Sequence, residues 1–159
     1  MAEILGAVGA GVGLAAATSQ LIDGIMKLHS FCSQIRNIPS DIQTAVDGFA
    51  TLLQVLEFVQ FELSHEILPP RPSSLSSSMI VLSNLQQSSQ QVGEVLKEMQ
   101  LKLGKKKYWG SIKVAGMTKR LEKAAKQVEN AQRMVVVLLA AENRYFLSVL
   151  LFLFRVNAH

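Results

Sequence analysis

The sequence predicts an all-α fold, an up-down helical bundle of four main helices. Three observations predict it. Apolar residues recur at i, i+3, i+4 and i+7 through most of the chain, strand-type alternation is nearly absent, and three of the four prolines fall in one short loop, leaving long stretches without a breaker. The length of 159 residues with 49% apolar and 18% charged residues suits one domain with a real core and excludes a disordered or low-complexity chain.

The first helix is expected from about Ala2 to Arg36, with Leu21, Ile25, Leu28, Cys32 and Ile35 on one stripe. Asn37, Ile38 and Pro39 stop it, because proline disfavours helix in the residue before it. Ser40 or Asp41 is placed to cap the second helix, whose Ile42, Ala45, Val46, Phe49, Leu52, Leu53, Leu56, Val59 and Leu63 follow the helical repeat most closely. The loop Leu68-Pro69-Pro70-Arg71-Pro72 and a serine-rich run follow. A third helix then covers about Leu75 to Leu103, with Met79, Leu82, Leu85, Val92, Leu96 and Met99 expected inward and a polar middle from Gln86 to Gln91. Gly104 to Gly110 reads as a basic turn. The fourth helix covers about Ser111 to Ala141, with Val114, Met117, Leu121, Ala124, Val128, Ala131, Val135 and Leu138 on its stripe. Four such helices with short connections bury one another's stripes in a bundle. Residues 1–141 therefore form the domain, and 142–159, which include the apolar run Tyr145 to Phe154, are an extension of the last helix or a non-native tail.

The charge is uneven. Residues 1–96 hold three basic against eight acidic side chains, a balance of −5, whereas 97–159 hold thirteen against four, a balance of +9. Such a split suits an acidic partner surface, an anionic membrane or nucleic acid, or two bundle faces that attract each other. A single cysteine, Cys32, permits no intramolecular disulfide and points to a reducing compartment.

Catalytic and metal chemistry finds few candidates. His29, His65 and His159 are scattered and offer no zinc-ligand spacing. Cys32 and His29 are three residues apart on a helix, but the neighbouring Leu21, Ile25 and Leu28 make them a buried core pair rather than a thiolate site. Glu62 and Glu66 read as like charges on a solvated face. Gly9-Ala10-Gly11-Val12-Gly13 resembles a phosphate loop only superficially, since no strand precedes it and no Gly-Lys-Ser/Thr closes it. The expectation is a protein without enzymatic activity, cofactor, metal or small-molecule substrate.

Two segments carry the interaction chemistry. Ile4 to Ile22 is nineteen residues without a charge and holds Gly6, Gly9, Gly11 and Gly13. Glu3 and the absence of Lys or Arg before it argue against a signal peptide, and the Gly, Ala, Ser and Thr content makes it weak as a fixed transmembrane anchor. Gly9, Gly13 and Ala17 form small-residue steps at i, i+4, with Gly6 and Ala10 beside them, which allow close approach of another helix and suit association in lipid. The second segment is basic: Lys102, Lys105, Lys106, Lys107, Lys113, Lys119, Arg120, Lys123 and Lys126, with Tyr108 and Trp109 among them. Anionic headgroups with interfacial aromatics fit this set at least as well as nucleic acid, for which no recognition module is present. A solvated loop and helix face is the plain alternative.

The start Ala2-Glu3-Ile4-Leu5-Gly6 with its Gly/Ala run, Leu28-His29-Ser30-Phe31-Cys32, and Ile38-Pro39-Ser40-Asp41-Ile42 leading into Leu52-Leu53-Gln54-Val55-Leu56 resemble the N-terminal domains of fungal NLR-type (STAND) proteins. These are the SesA and HeLo-like domains that precede NACHT or other P-loop NTPase modules. Trp109 and the Lys/Arg-rich helix from Lys119 are similar to their last helices, so the resemblance covers about residues 2–141. It implies a helical signalling or cell-death domain of non-self recognition and heterokaryon incompatibility. It further implies a bundle comparable to that of mixed-lineage kinase-like pseudokinases, with membrane permeabilisation through a glycine-rich first helix, where Gly6, Gly9, Gly11 and Gly13 stand. Expected partners are another copy or an NLR-type domain, and an anionic membrane to which a cytoplasmic protein is recruited. No NTPase module or prion-like motif accompanies the bundle in this sequence. A soluble adaptor that binds an NLR domain through its helix surfaces is the alternative, and nucleic acid is disfavoured.

Overall fold

The computed structural model describes residues 2–64, 75–103 and 114–157, with side-chain surroundings for 13–64, 77–103, 116–141 and Arg155. Four helices account for nearly all of them: α1 (Ala2–Ser33), α2 (Ser40–Ser64), α3 (Leu75–Leu103) and α4 (Val114–Asn157). The chain is thus an all-α four-helix bundle.

Each helix forms because its apolar residues make one stripe. On α4 the buried residues are Met117, Leu121, Ala124, Val128, Ala131, Val135 and Leu138, an alternation of four and three that keeps one seam inward. On α3 the same alternation runs through Ser78, Val81, Leu85, Ser88, Val92, Val95 and Met99. Two serines therefore occupy core positions. Ser88 has no exposed surface, and its hydroxyl lies 2.8 Å from the Asn84 carbonyl oxygen and 3.3 Å from that of Gln127 across the α3–α4 seam. Satisfying the hydroxyl in this way offsets the cost of burying it. Met79, expected inward, is 61% exposed, because the seam passes through Ser78, one position earlier.

Helix ends follow local chemistry. α1 stops at Ser33, three residues before the expected Arg36, where the chain tightens: the Gln34 and Ile35 amides donate to the Phe31 and Cys32 carbonyls three residues back. Asn37 then takes a left-handed conformation at φ 58°, which asparagine tolerates better than most residues, and Ile38-Pro39 leads away. At the start of α2 the Gln43 amide donates to the Pro39 carbonyl at 3.0 Å. Ser40 and Asp41, expected as caps, instead lie inside the first turn, where the Asp41 charge favours the helix N-terminus.

The order of helices around the bundle is not the order along the chain. α1 packs on α2 and α3, and α4 packs on the same two, so α1/α4 and α2/α3 lie on the diagonals. Gly13 and Gly24 of α1 stand opposite Leu82 and Val92 of α3, so these two helices run parallel. Ser88 meets Gln127 and Glu98 meets Arg120, so α3 and α4 run antiparallel. Directions still alternate up and down, but α2 and α3, consecutive in the chain, stand on a diagonal. Ten residues separate Ser64 from Leu75, ample for a diagonal of about 13 Å between helices about 9 Å apart.

These registers place the chain ends. α1 starts and α4 finishes at one end of the bundle; α1 and α3 finish and α2 and α4 start at the other. α4, with 44 residues, is about 66 Å long against about 44 Å for the 29 residues of α3, and its last turns continue past the start of α3.

Candidate functional site

The glycine-bearing segment is part of one continuous helix from Ala2, so Gly9 to Gly13 is not a phosphate loop. Gly6, Gly9 and Gly11 lie within α1, and their surroundings are outside the described residues. Gly13 and Ala17 are described, and both serve the bundle. Ala17 is buried, and a β-carbon on Gly13 would meet Leu82 Cδ2 at 3.5 Å. Gly24 stands in the same relation to Val92 Cγ1, at 3.5 Å. The small-residue edge of α1 is thus used for its parallel approach to α3.

The basic segment divides. Lys105, Lys106, Lys107 and Trp109, with Tyr108 and Lys113, fall outside the described residues. Lys119 and Arg120 are exposed on α4, but Arg120 is ion-paired with Glu98 of α3. Lys102 completes this group, its Nζ 2.5 Å from the same carboxylate. The hydrogen bond from Lys102, with Arg120 beside it, holds the Glu98 carboxyl below its ordinary range, against the opposing effect of partial burial. Arg120 therefore clips α3 to α4. Lys119, Lys123 and Lys126 project from the outer face of α4, with no acidic partner among the described residues.

Leu103, at the end of α3, stands away from Gly13, near the start of α1, and residues 104–113 lie outside the described residues. By the Gly13–Leu82 register the separation is about 30 Å along the axis.

The Cys32–His29 pair is also split. Cys32 is buried, and burial pushes its thiol up to about 11; His29 is exposed. Three residues on a helix subtend about 60°, enough to put one inside the seam and the other beyond it. Glu62 is half-buried, and Glu66 lies outside the described residues. Among the described residues, no group of three or more His, Cys, Asp or Glu is placed to hold a metal.

Sequence reasoning missed a set of exposed apolar side chains. Among the described residues eight large ones are exposed: Phe58 and Phe61 of α2, Met79 and Ile80 of α3, Val136 and Val137 of α4, and, apart from these, Met26 and Leu101. The signal was available, since all six in the first group fall off the buried stripe of their own helix. α2 is also the one helix among the described residues that is long and apolar enough to cross a membrane by length and composition. Its core residues Ile42, Val46, Phe49, Leu56, Val59 and Leu63 supply much of that hydropathy.

Comparison with protein-family models, with curated proteins and with solved structures finds no match to this chain.

Proposed function

We propose that this bundle is a non-enzymatic signalling domain of the fungal NLR N-terminal type, acting by self-association and membrane permeabilisation, as its sequence resemblance implies. The observation that carries the reading is the shared location of the two most apolar chain segments. The beginning of the charge-free stretch of α1 at Ile4 and the final turns of α4, with Tyr145 to Phe154 in their sequence, belong to the same end of the bundle. Neither is long and hydrophobic enough to be a fixed anchor alone, and together they suit entry into lipid as a group. The protein would act from the cytoplasm on recruitment to an anionic membrane, with another copy or an NLR-type domain as partner and no cofactor.

The test is dye release from vesicles of phosphatidylcholine with 30% phosphatidylserine. Wild type is expected to release dye, and Gly9→Glu to be at least about tenfold slower, since a carboxylate in the hydrocarbon region is strongly disfavoured. Absence of release by the wild type, or unchanged release by the variant, overturns the reading.

A second reading is favoured by the packing of Gly13 against Leu82 of α3 and by the burial of Ala17. With that edge of α1 occupied, the bundle would serve as a soluble adaptor that meets an NLR domain through its outer surface. A stable protein complex together with no sedimentation on vesicles would select it.

A further inference from the structure

The six exposed apolar side chains in the first group above share one level of the bundle. The α1–α3 register puts Met79 and Ile80 level with residues 10 and 11 of α1. The Ser88–Gln127 pairing puts Val136 and Val137 level with Met79 and Ser78. Counting back through the 34–39 connection, Phe61 and Phe58 of α2 fall level with about residues 12 and 15 of α1. All six therefore occupy a band about 10 Å deep. Met26 and Leu101, the remaining two, lie well outside it.

We infer that this band is a lipid-docking belt, by which the bundle enters an anionic membrane end-on. Three features favour lipid over a protein partner. The belt includes outward residues of α2, α3 and α4, and Val137 and Phe58 are 68% and 62% exposed on different helices. A protein partner covers one face, whereas a bilayer meets every side of an immersed end. The depth of about 10 Å matches the headgroup and acyl boundary, and the last turns of α4, which run about 30 Å past Val137, continue on the acyl side. Beyond the belt, towards the other end, Lys126, Lys123 and Lys119 follow along the outer face of α4 without acidic partners among the described residues, so cationic charge stands on the headgroup side. Glu57 and Glu62 border Phe58 and Phe61 at the belt, and Arg133 there is paired with Glu129 at 2.5 Å. The attraction to anionic lipid therefore comes from the α4 lysines, not from the belt. The residues involved are on α2 to α4, so the inference rests on the membrane reading of function only for the identity of the target.

Flotation of the full chain with vesicles of pure phosphatidylcholine, and with 30% phosphatidylserine, tests it. Variants are Phe58→Glu with Val137→Glu at the belt, Met26→Glu with Leu101→Glu as the distal control, and Lys119, Lys123 and Lys126 all changed to Gln. All positions are exposed, and circular dichroism with a thermal melt checks that each variant folds. The belt pair is expected to lower the partition coefficient on phosphatidylserine vesicles by roughly tenfold or more, and the distal pair by less than about twofold. The Gln triple is expected to remove most of the dependence on phosphatidylserine. Wild-type binding that the belt pair leaves intact, or that the distal pair weakens equally, overturns the inference while the membrane reading stands. A wild type that floats with neither vesicle overturns both. A vesicle-free dimer made monomeric by the belt pair assigns the belt to a second copy and overturns the lipid assignment.

Discussion

Gly13 of α1 faces Leu82 of α3 so closely that a β-carbon on the glycine would stand 3.5 Å from Leu82 Cδ2, an ordinary van der Waals contact. One methyl group therefore fits without displacement, and anything longer must push the leucine aside. Helix propensity then decides the sign for alanine.

Gly13→Ala is expected to stabilise the bundle by about 0.5 to 1 kcal/mol, because an interior glycine costs about that much relative to alanine and the added methyl has room. Gly24→Ala, 3.5 Å from Val92, should do the same. Gly13→Leu should instead destabilise by about 1 to 3 kcal/mol through overpacking. Urea denaturation followed by circular dichroism measures all three. Destabilisation by both alanine variants would show that the α1–α3 approach is tighter than described.

Glu98 links its own helix to α4 through Lys102 and Arg120. Its carboxyl pKa is lowered in the folded protein, so its stabilising contribution is present above the ordinary glutamate value of 4.5 and is lost as pH falls through the lower folded value. Glu98→Gln is expected to cost about 1 kcal/mol or less at pH 7, since both cationic partners are half exposed or more. The stability curves of wild type and variant should converge below pH 4.5. A constant difference across that window would remove ionisation of Glu98 as the cause.

Cys32 should be nearly inert in the folded protein. A thiol raised from 9.0 to about 11 holds about a hundredfold less thiolate at pH 8, and its burial blocks access besides. Iodoacetamide labelling of native protein should therefore be at least about a hundredfold slower than in urea, and should track global unfolding. Labelling of the native protein at the free-thiol rate would reveal local opening of the α1 C-terminal half.

Much of the core was legible in the sequence. Leu21, Ile25, Leu28, Cys32 and Ile35, the α2 residues from Ile42 to Leu63 and the α4 residues from Met117 to Leu138 were all read onto inward or core-edge positions, because a local repeat divides a helix into two faces. The α3 seam was legible too, but through spacing rather than hydrophobicity. Counting back from Met99, Val95 and Val92 in alternating steps of four and three reaches Ser88, Leu85, Val81 and Ser78, whereas selecting apolar residues led to Met79. At the candidate site the charges were visible along the chain, but the pairing of Arg120 with Glu98 was not, since the two are 22 residues apart on different helices.

The sequence by itself determined four helices, the ends of α1, α2 and α3 to within a few residues, and the stripe each buries, since backbone propensity and side-chain period are local properties; α4 runs to Asn157, 16 residues past the expected Ala141. Only the tertiary structure decided that α1 lies beside α3 rather than diagonal to it, and that the start of α1 and the end of α3 stand at opposite ends. It also decided that Phe58, Met79 and Val137 share one level. A stripe specifies that a helix face must be covered without specifying by which neighbour, because hydrophobic burial is non-directional. The choice of neighbour and register rests on how small residues such as Gly13 and Gly24 fit large ones such as Leu82 and Val92, and that fit exists only once the helices have met.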